Sequence, residues 1–361
     1  MRISFVTPGV VWRPGGSYGV IFEYANQLTA RGHEVRIVFP ASVPQASPSA
    51  DLGARLRARA VQLRKTWQRR ISWYPIDPRV RLEFVPRLET AAIAPGDVVI
   101  ATTWTVASFV ASLPQDRGRG FYVVHHYEGG KYDPMAVDAT LALPLVKLAV
   151  SRFTAREISL RGFAPVRYVP NGVDGAIYAP AEVRRSPLQV AMNFVPKAVK
   201  DPWTGIEALT LARERHPQLQ AILFGTSRPP RGLPPWIQYA RRLSTRSLVR
   251  DVYNRSSVFL CSSRLEGFGF PAAESMSCGC ALVSTDCGGI SEFARHGSTA
   301  LLSVPGDAAA LGENLARLIG DRALQERLVQ AGRRAVGALT WQRTAIRLER
   351  ALEEDVSGGA V

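Results

Sequence analysis

Ser257-Val258-Phe259-Leu260-Cys261-Ser262-Ser263-Arg264-Leu265-Glu266-Gly267-Phe268-Gly269-Phe270-Pro271-Ala272-Ala273-Glu274 places two glutamates on either side of a Gly-Phe-Gly-Phe-Pro loop. The apolar run Ser257 to Cys261 reads as a buried strand. The segment from Pro271 to Cys278 reads as a helix with proline in its first turn. The loop between them therefore lies at the carboxyl end of a strand and the amino end of a helix, where open α/β sheets bind ligands. Phe270 has no side-chain oxygen with which to cap that helix. Its first backbone N–H groups are then available to an anion such as a diphosphate. The blander account is a strand–turn–helix in which Glu274 only favours the helix dipole.

Strand and helix signals alternate on both sides of this stretch. Upstream, Arg2 to Thr7 is a strand, followed by a Gly/Pro-rich loop from Pro8 to Ser17. A helix follows with Val20, Ile21, Tyr24 and Leu28 on one face, ending near Gly32. Val35 to Phe39 completes a βαβ opening, whose default is a parallel, doubly wound sheet. Further strands are expected at Arg81–Pro86, Val98–Ala101, Phe121–Val124, Leu148–Val150 and Arg167–Val169. Pro170-Asn171-Gly172-Val173-Asp174 marks a turn, and a polar, Pro-containing passage after it reads as a linker. The alternation restarts with strands at Leu188–Phe194, Leu219–Phe224 (closed by Gly225), Val258–Ser262 and Ala281–Ser284. Helices are expected at Thr204–Arg215, Ala308–Ile319, Ala323–Val336 and Trp341–Glu354. The chain thus divides into a Rossmann-like domain at 1–170, a linker at 171–187, a second Rossmann-like domain at 188–338 and a final helix at 339–361 that crosses back to the first. Two α/β units facing each other across a cleft are the expected architecture.

Composition narrows the choice. At 361 residues and 46% apolar content the chain can build two cores, and it contains no 18-residue apolar run. Met1-Arg2-Ile3-Ser4-Phe5-Val6 runs straight into a strand rather than a signal peptide, so a cytoplasmic protein is expected. The four cysteines, Cys261, Cys278, Cys280 and Cys287, lack zinc spacing and a nearby histidine, and read as buried thiols. No Asp-X-Asp pair is present to hold a divalent metal under phosphates. The net charge of +15 points to anionic partners.

The second half resembles the retaining GT-B glycosyltransferases of family 4. That family's Glu, seven residues, Glu pattern is matched by Glu266 and Glu274, including the Gly-Phe-Gly core between them. The likeness continues from Cys278 through Cys287-Gly288-Gly289-Ile290-Ser291-Glu292 and returns at Gly306-Asp307. Upstream, Val150-Ser151-Arg152-Phe153-Thr154 and Val169-Pro170-Asn171-Gly172-Val173-Asp174 resemble its segments before the second domain. Pro14-Gly15-Gly16-Ser17 resembles its glycine-rich loop; residues 40–95 carry no family signal. The resemblance implies a GT-B fold and a nucleotide-sugar donor, with no metal or other cofactor. It implies that Glu266 lies beside the donor sugar and Glu274 binds the ribose hydroxyls. It also implies that Gly267, Phe268, Gly269 and Phe270 offer backbone amides to sugar and diphosphate. Lys200 matches the family's phosphate-facing lysine, and Gly225 joins the donor-binding group. Where the family has an arginine about five residues before that lysine, this chain has Asn193-Phe194-Val195-Pro196-Lys197. Lys197 is the substitute at hand, although an ammonium cannot reproduce a bidentate guanidinium contact. Gly15 and Gly16, lacking side chains, suit close backbone approach by a ligand; a tight βα turn would use them equally well.

A histidine contacting sugar or acceptor is also implied, and His125 and His126 both answer to it. His126 is favoured because Val124 and His125 continue the strand pattern. Glu128 and Lys131 are further acceptor-side candidates. Between Asp51 and Arg81 nine basic residues face two acidic ones. Leu52, Leu56, Ala60, Leu63, Trp67 and Ile71 recur there at helical spacing among arginines. Such a helix over 52–71 can rest on an anionic membrane and bring a lipid-linked hydroxyl acceptor to the site, with the protein peripheral at the inner face. A second basic-aromatic stretch runs from Arg228 to Arg250. The alternatives are a nucleotide-sugar epimerase or hydrolase of the same fold, and a basic nucleic-acid-binding protein. No helix-turn-helix, zinc-finger or RNP-like pattern supports the last, so nucleic acid is not an expected partner.

Overall fold

A computed structural model describes residues 1–11, 14–41, 43, 71–130 and 132–357. The basic helix expected over 52–71 falls outside the described residues except for Ile71, and Lys131 falls outside them too. The chain divides into two compact units. One runs over Met1–Asn171 and takes in the chain from Trp341 onward; the other is Gly172–Thr340.

The first unit is a seven-stranded sheet of β1 (Arg2–Val6), β2 (Glu34–Pro40), β3 (Arg81–Val85), β4 (Val98–Ala101), β5 (Arg119–Val124), β6 (Val146–Ala149) and β7 (Val166–Tyr168). The order is β3-β2-β1-β4-β5-β6-β7 with every pairing parallel. Its helices are α1 (Gly16–Ala30), α2 (Trp104–Ala111), α3 (Pro134–Leu141), α4 (Arg152–Leu160) and, from the far end of the chain, α9 (Trp341–Ser357). The second unit pairs β8 (Ser186–Asn193), β9 (Gln220–Gly225), β10 (Ile237–Arg241), β11 (Ser256–Cys261), β12 (Ala281–Thr285) and β13 (Leu301–Ser303) in the order β10-β9-β8-β11-β12-β13, again all parallel. It carries α5 (Pro202–Arg215), α6 (Phe270–Ser277), α7 (Ala308–Gly320) and α8 (Arg322–Gly337).

Both sheets are buried on two faces, which is why their strands read as continuous apolar runs. In β11, Val258 and Leu260 enter one core with Met192, Leu209 and Leu315, while Phe259 enters the other with Phe224, Tyr253 and Phe268. Each such fully buried Leu or Phe contributes about 1.5–3 kcal/mol. The last helix is held to the first unit by specific contacts: Trp341 lies 6.2 Å edge-on to Tyr24, Thr344 Oγ1 donates to the Pro170 carbonyl at 2.7 Å, and Arg31 and His33 both reach Glu349.

Three differences from the sequence expectation have a plain physical cause. β6 starts at Val146 rather than Leu148 and takes Lys147 into the sheet. A buried lysine is tolerated there because Nζ ends on the Leu143 and Ala164 carbonyls at 2.9 and 3.4 Å; burial lowers its pKa. β10 occupies the middle of the stretch read only as basic and aromatic. Tyr239 and Trp236 pack on the second unit's core, Tyr239 Oη donates to the Ser227 carbonyl at 3.0 Å, and Arg213 covers the Trp236 ring. These aromatic groups serve the fold. Finally, α6 begins at Phe270, one residue earlier than expected. Gly269, at φ +91°, is its cap, because the left-handed turn there suits a residue without a side chain. Among the described residues no helix is long and apolar enough to cross a membrane.

Candidate functional site

In each sheet the winding direction reverses between two adjacent strands: β1 and β4 in the first unit, β8 and β11 in the second. The loops leaving the carboxyl ends of such strands part from each other and leave a crevice, the usual ligand position in this class of sheet. In the second unit those loops carry Lys197 and Lys200 (after β8) and Ser262 to Gly269 (after β11).

The two loops are stitched together. Arg264 N donates to the Val199 carbonyl at 2.9 Å, and Ser262 Oγ donates to the Asp201 carbonyl at 2.8 Å. Arg264 Nε also pairs with Asp201 Oδ2 at 2.8 Å. Asp201 adopts the left-handed conformation (φ 38°, ψ 55°), which aspartate tolerates better than most residues, and Pro202 opens α5 directly after it. This turn sets Lys200 so that its Nζ meets Glu266 Oε1 at 2.6 Å. The same carboxylate oxygen accepts Ser263 Oγ at 2.7 Å. The Glu266 backbone is fastened to the loop after β12: its N–H donates to Cys287 at 2.7 Å and its carbonyl accepts Gly289 N at 2.8 Å. A β-carbon on Gly289 would lie 2.1 Å from the Gly267 carbonyl oxygen, so only glycine permits this approach. Glu266 is therefore a charged side chain held from its backbone and its carboxylate at once.

Glu274 stands one helical turn into α6. Tyr253 Oη donates to its Oε2 at 2.9 Å, and the Tyr178 hydroxyl is a second donor. Burial disfavours its charged form and pushes its pKa up to about 7, against the pull of both tyrosines. Phe268 is buried, packing on Phe270 at 4.9 Å and Phe293 at 5.7 Å; with Gly267 and Gly269 it forms the turn into α6. The Gly269 carbonyl accepts both Ala272 N and Ala273 N at 3.1 Å. Lys197 is exposed. Gly225 closes β9 against the start of the lysine loop: a β-carbon there would sit 2.3 Å from the Phe194 carbonyl oxygen, so backbone packing alone accounts for this glycine.

In the first unit, the loop after β1 is pinned by Thr7 Oγ1 donating to the Val38 carbonyl at 2.9 Å and by Trp73 Nε1 donating to Val11 at 2.8 Å. Gly15 caps α1, with Gly16 its first residue. Among the described residues a β-carbon on Gly15 would meet nothing within 4 Å, so their packing does not explain this glycine. β5 ends at Val124, so His125 does not continue the strand: both histidines lie in the loop beyond it, and the strand pattern cannot separate them. Their surroundings do. Among the described residues His125 Nε2 is buried without a hydrogen-bond partner, and burial, helped by neighbouring His126, pushes the ring's pKa down to about 3. His125 is thus a neutral imidazole with an unused ring nitrogen. His126 and Glu128 are half-buried beside it.

Sequence reading passed over Ser263, Tyr253 and Tyr178 as partners of the two glutamates. Ser263, three residues before Glu266 in a loop, carried a local signal; the tyrosines, 21 and 96 residues from Glu274, carried none. The four cysteines are free thiols, with Cys278, Cys280 and Cys287 buried. Among the described residues no three His, Cys, Asp or Glu side chains gather as a metal site would need.

Comparison with known proteins places this geometry in context. The model for "Glycosyl transferases group 1" matches residues 197–335, and that for "Glycosyltransferase Family 4" matches residues 14–176. Phosphatidyl-myo-inositol mannosyltransferase of Mycobacterium tuberculosis is 26% identical over 388 aligned residues, spanning 100% of this chain and 98% of that one. Glycogen synthase of the same organism is 25% identical over 393, spanning 96% and 92%. Among solved structures, Anabaena HepE in complex with UDP superposes with a TM-score of 0.76 at 16% identity, covering 98% of this chain and 100% of that one. Sucrose-phosphate synthase from Thermosynechococcus elongatus gives 0.72 at 18%, covering 99% and 100%. These likenesses to solved structures concern the fold.

Proposed function

The chain belongs to the family 4 (group 1) glycosyltransferases of the GT-B fold, and from that premise we propose that it moves a sugar from a nucleotide donor to a hydroxyl acceptor with retention of anomeric configuration and without a metal ion. The observation that carries this reading is the Lys200–Glu266 pair, 2.6 Å apart on the two loops of the second unit's switch point. Breaking the donor's glycosidic bond leaves negative charge on the diphosphate and positive charge on the sugar. A cation and an anion fixed side by side match that separation.

In this reading Lys200 faces the developing phosphate charge, with Lys197 and the amino end of α6 adding to it. Glu266 accepts hydrogen bonds from sugar hydroxyls and favours the oxocarbenium-like sugar as it forms. It needs no covalent step: the acceptor hydroxyl attacks the face the diphosphate leaves, and its proton passes to the departing phosphate oxygen. Glu274 accepts from the ribose hydroxyls, which suits a carboxylate ionising near neutrality. The neutral His125 ring offers its unused nitrogen to a sugar hydroxyl. The gathering of charge on protein groups supports independence from metals, and the likeness to a mannosyltransferase of a phosphatidyl lipid supports a lipid-linked acceptor.

The test is a donor screen with UDP-, GDP- and ADP-sugars, with and without chelator, against lipid-linked and free acceptors. Transfer that survives EDTA and yields a product with the donor's anomeric configuration by NMR is expected. An inverted product would sink retention, loss of activity in EDTA would sink metal independence, and donor consumption without acceptor would favour a hydrolase or epimerase.

A further inference from the structure

The second unit holds a cavity of about 540 Å3 that borders Tyr178, the residue whose hydroxyl reaches Glu274. Its walls include Gly175 and Tyr178 on one side, Ser277 at the end of α6, and Gln330, Arg333 and Arg334 on α8. The volume lies within the range of small-molecule sites. Residues 330, 333, 334 and 337 recur at helical spacing, so one face of α8 forms a single wall. Gly337 and Gly175 both border it, and among the described residues a β-carbon on either would meet nothing within 4 Å. Neither Arg333 nor Arg334 has an ion-pair partner among the described residues, although both side chains are exposed and the last turn of a helix welcomes positive charge. That dipole explains a cation on the helix. It does not explain two guanidiniums, unpaired among the described residues, set on an open, largely apolar hollow with a hydroxyl and an amide beside them.

We propose that this cavity is a second binding site, for a phosphomonoester of about sugar-phosphate size, and that its occupancy is felt at Glu274. Guanidinium groups bind phosphate oxygens through paired N–H donors. Ser277 and Gln330 suit hydroxyls, and the Tyr178 ring supplies a flat apolar wall. The coupling runs through Tyr178, which α6 grips twice. Ser277 Oγ donates to its carbonyl at 2.5 Å, and its hydroxyl donates to Glu274, three residues earlier on the same helix. A ligand resting on Tyr178 holds that hydroxyl in place and fixes the carboxylate in its orientation, which tightens nucleotide binding. This coupling rests on reading Glu274 as the nucleotide-side carboxylate; the binding itself does not.

The experiment is calorimetric titration of the full chain with glucose 6-phosphate and, separately, with inorganic phosphate, repeated on Arg333→Gln/Arg334→Gln. Saturable glucose 6-phosphate binding that weakens at least tenfold in the double variant is expected; these exposed positions should leave the fold intact, checked by thermal melting. Equal binding by phosphate alone would show that the sugar contributes nothing and overturn the sugar-phosphate assignment. Equal binding by the double variant would overturn the cavity. Nucleoside diphosphate is then titrated with and without saturating glucose 6-phosphate. At least threefold tighter binding in the wild type, absent in Tyr178→Phe, supports the coupling. Unchanged or weaker binding, including simple competition, overturns it. A chain that binds glucose 6-phosphate but no nucleoside diphosphate would overturn the donor-site reading while leaving the cavity standing.

Discussion

The candidate groups of the two units are built on opposite principles. In the second unit Lys200, Glu266 and Glu274 are already engaged: Lys200 with Glu266, Glu266 with Ser263 and the loop after β12, Glu274 with two tyrosines. In the first unit, among the described residues, a β-carbon on Gly15 meets nothing within 4 Å and His125 Nε2 lies buried with no partner. A site whose charges are paired before the substrate arrives pays little reorganisation when charge develops. A site with an unmatched polar atom and an open glycine is completed by what binds. The second unit thus holds a paired electrostatic frame, and the first holds an unpartnered nitrogen and an open glycine among the described residues.

Breaking the preset frame should have the largest effect. Glu266→Gln keeps the size of the side chain but removes the charge facing the sugar and leaves Lys200 without its counter-ion. We expect kcat to fall by about 10²–10³, roughly 3–4 kcal/mol of transition-state stabilisation, with KM for the donor little changed. Steady-state kinetics decide it: unimpaired kcat would remove Glu266 from the chemistry. The melting temperature should also fall, since the Glu266 side chain is only 13% exposed and its neutralisation leaves Lys200 without a counter-ion.

Glu274→Gln should act on binding instead. We expect about tenfold weaker nucleotide binding at about pH 8, because an amide offers a poorer acceptor than a carboxylate to ribose hydroxyls. In the wild type, affinity should rise as the pH passes through about 7, where this carboxyl ionises. The variant should lose that rise. Stability carries the opposite sign. Above the ordinary 4.5 the unfolded chain has released this proton while the folded chain retains it up to about 7. The group's contribution to folding is therefore complete below about 4.5 and is lost as pH rises through about 7. Calorimetry and melting curves across that window test both halves, and a pH-independent wild-type affinity would contradict the assignment.

This contrast also marks what a sequence makes visible. The β11–α6 stretch was legible because its determinants are local: an apolar run, glycines at the turn, proline in the first helical turn. The alternation of strands and helices likewise gave two parallel sheets. Lys147 inside β6 was not legible, since the carbonyls that satisfy it are four and seventeen residues away and meet only in three dimensions. The same holds for Tyr253 and Tyr178 around Glu274. Gly225 and Gly15 show the limit most plainly: one closes a strand against backbone, while the other caps a helix with nothing within 4 Å of its β-carbon position among the described residues. Spacing cannot tell a glycine needed for packing from one left open.

His125 offers a smaller test of the unfilled half. Replacing it by asparagine removes a ring whose Nε2 bonds to nothing among the described residues, so no hydrogen bond is lost and the stability cost is that of packing, about 0.5–3 kcal/mol. If the ligand supplies the missing partner, kcat/KM should fall about tenfold, comparable with the loss of one good hydrogen bond. Because the ring is held neutral down to about pH 3, the wild-type rate should show no titration of this histidine in the neutral range. A limb near pH 6.5 that disappears in His125→Asn would show it working as an acid instead.

Gly15→Ala is the finest probe, because two small stability terms oppose each other there. Alanine at a helix cap is less favourable than glycine by a few tenths of a kcal/mol or more. Against that, at φ −149° the new residue is unstrained, meets nothing within 4 Å, and reduces the freedom of the unfolded chain by about 0.4–1 kcal/mol. The melting temperature should therefore stay within a few degrees of the wild type. If the space beside Gly15 is where a ligand's phosphate or sugar passes close to the backbone, the methyl group enters it and KM for donor or acceptor rises about threefold, with kcat nearly unchanged. An unchanged KM would mean that this space stays empty during turnover, and that the first unit's contribution is confined to the histidine loop.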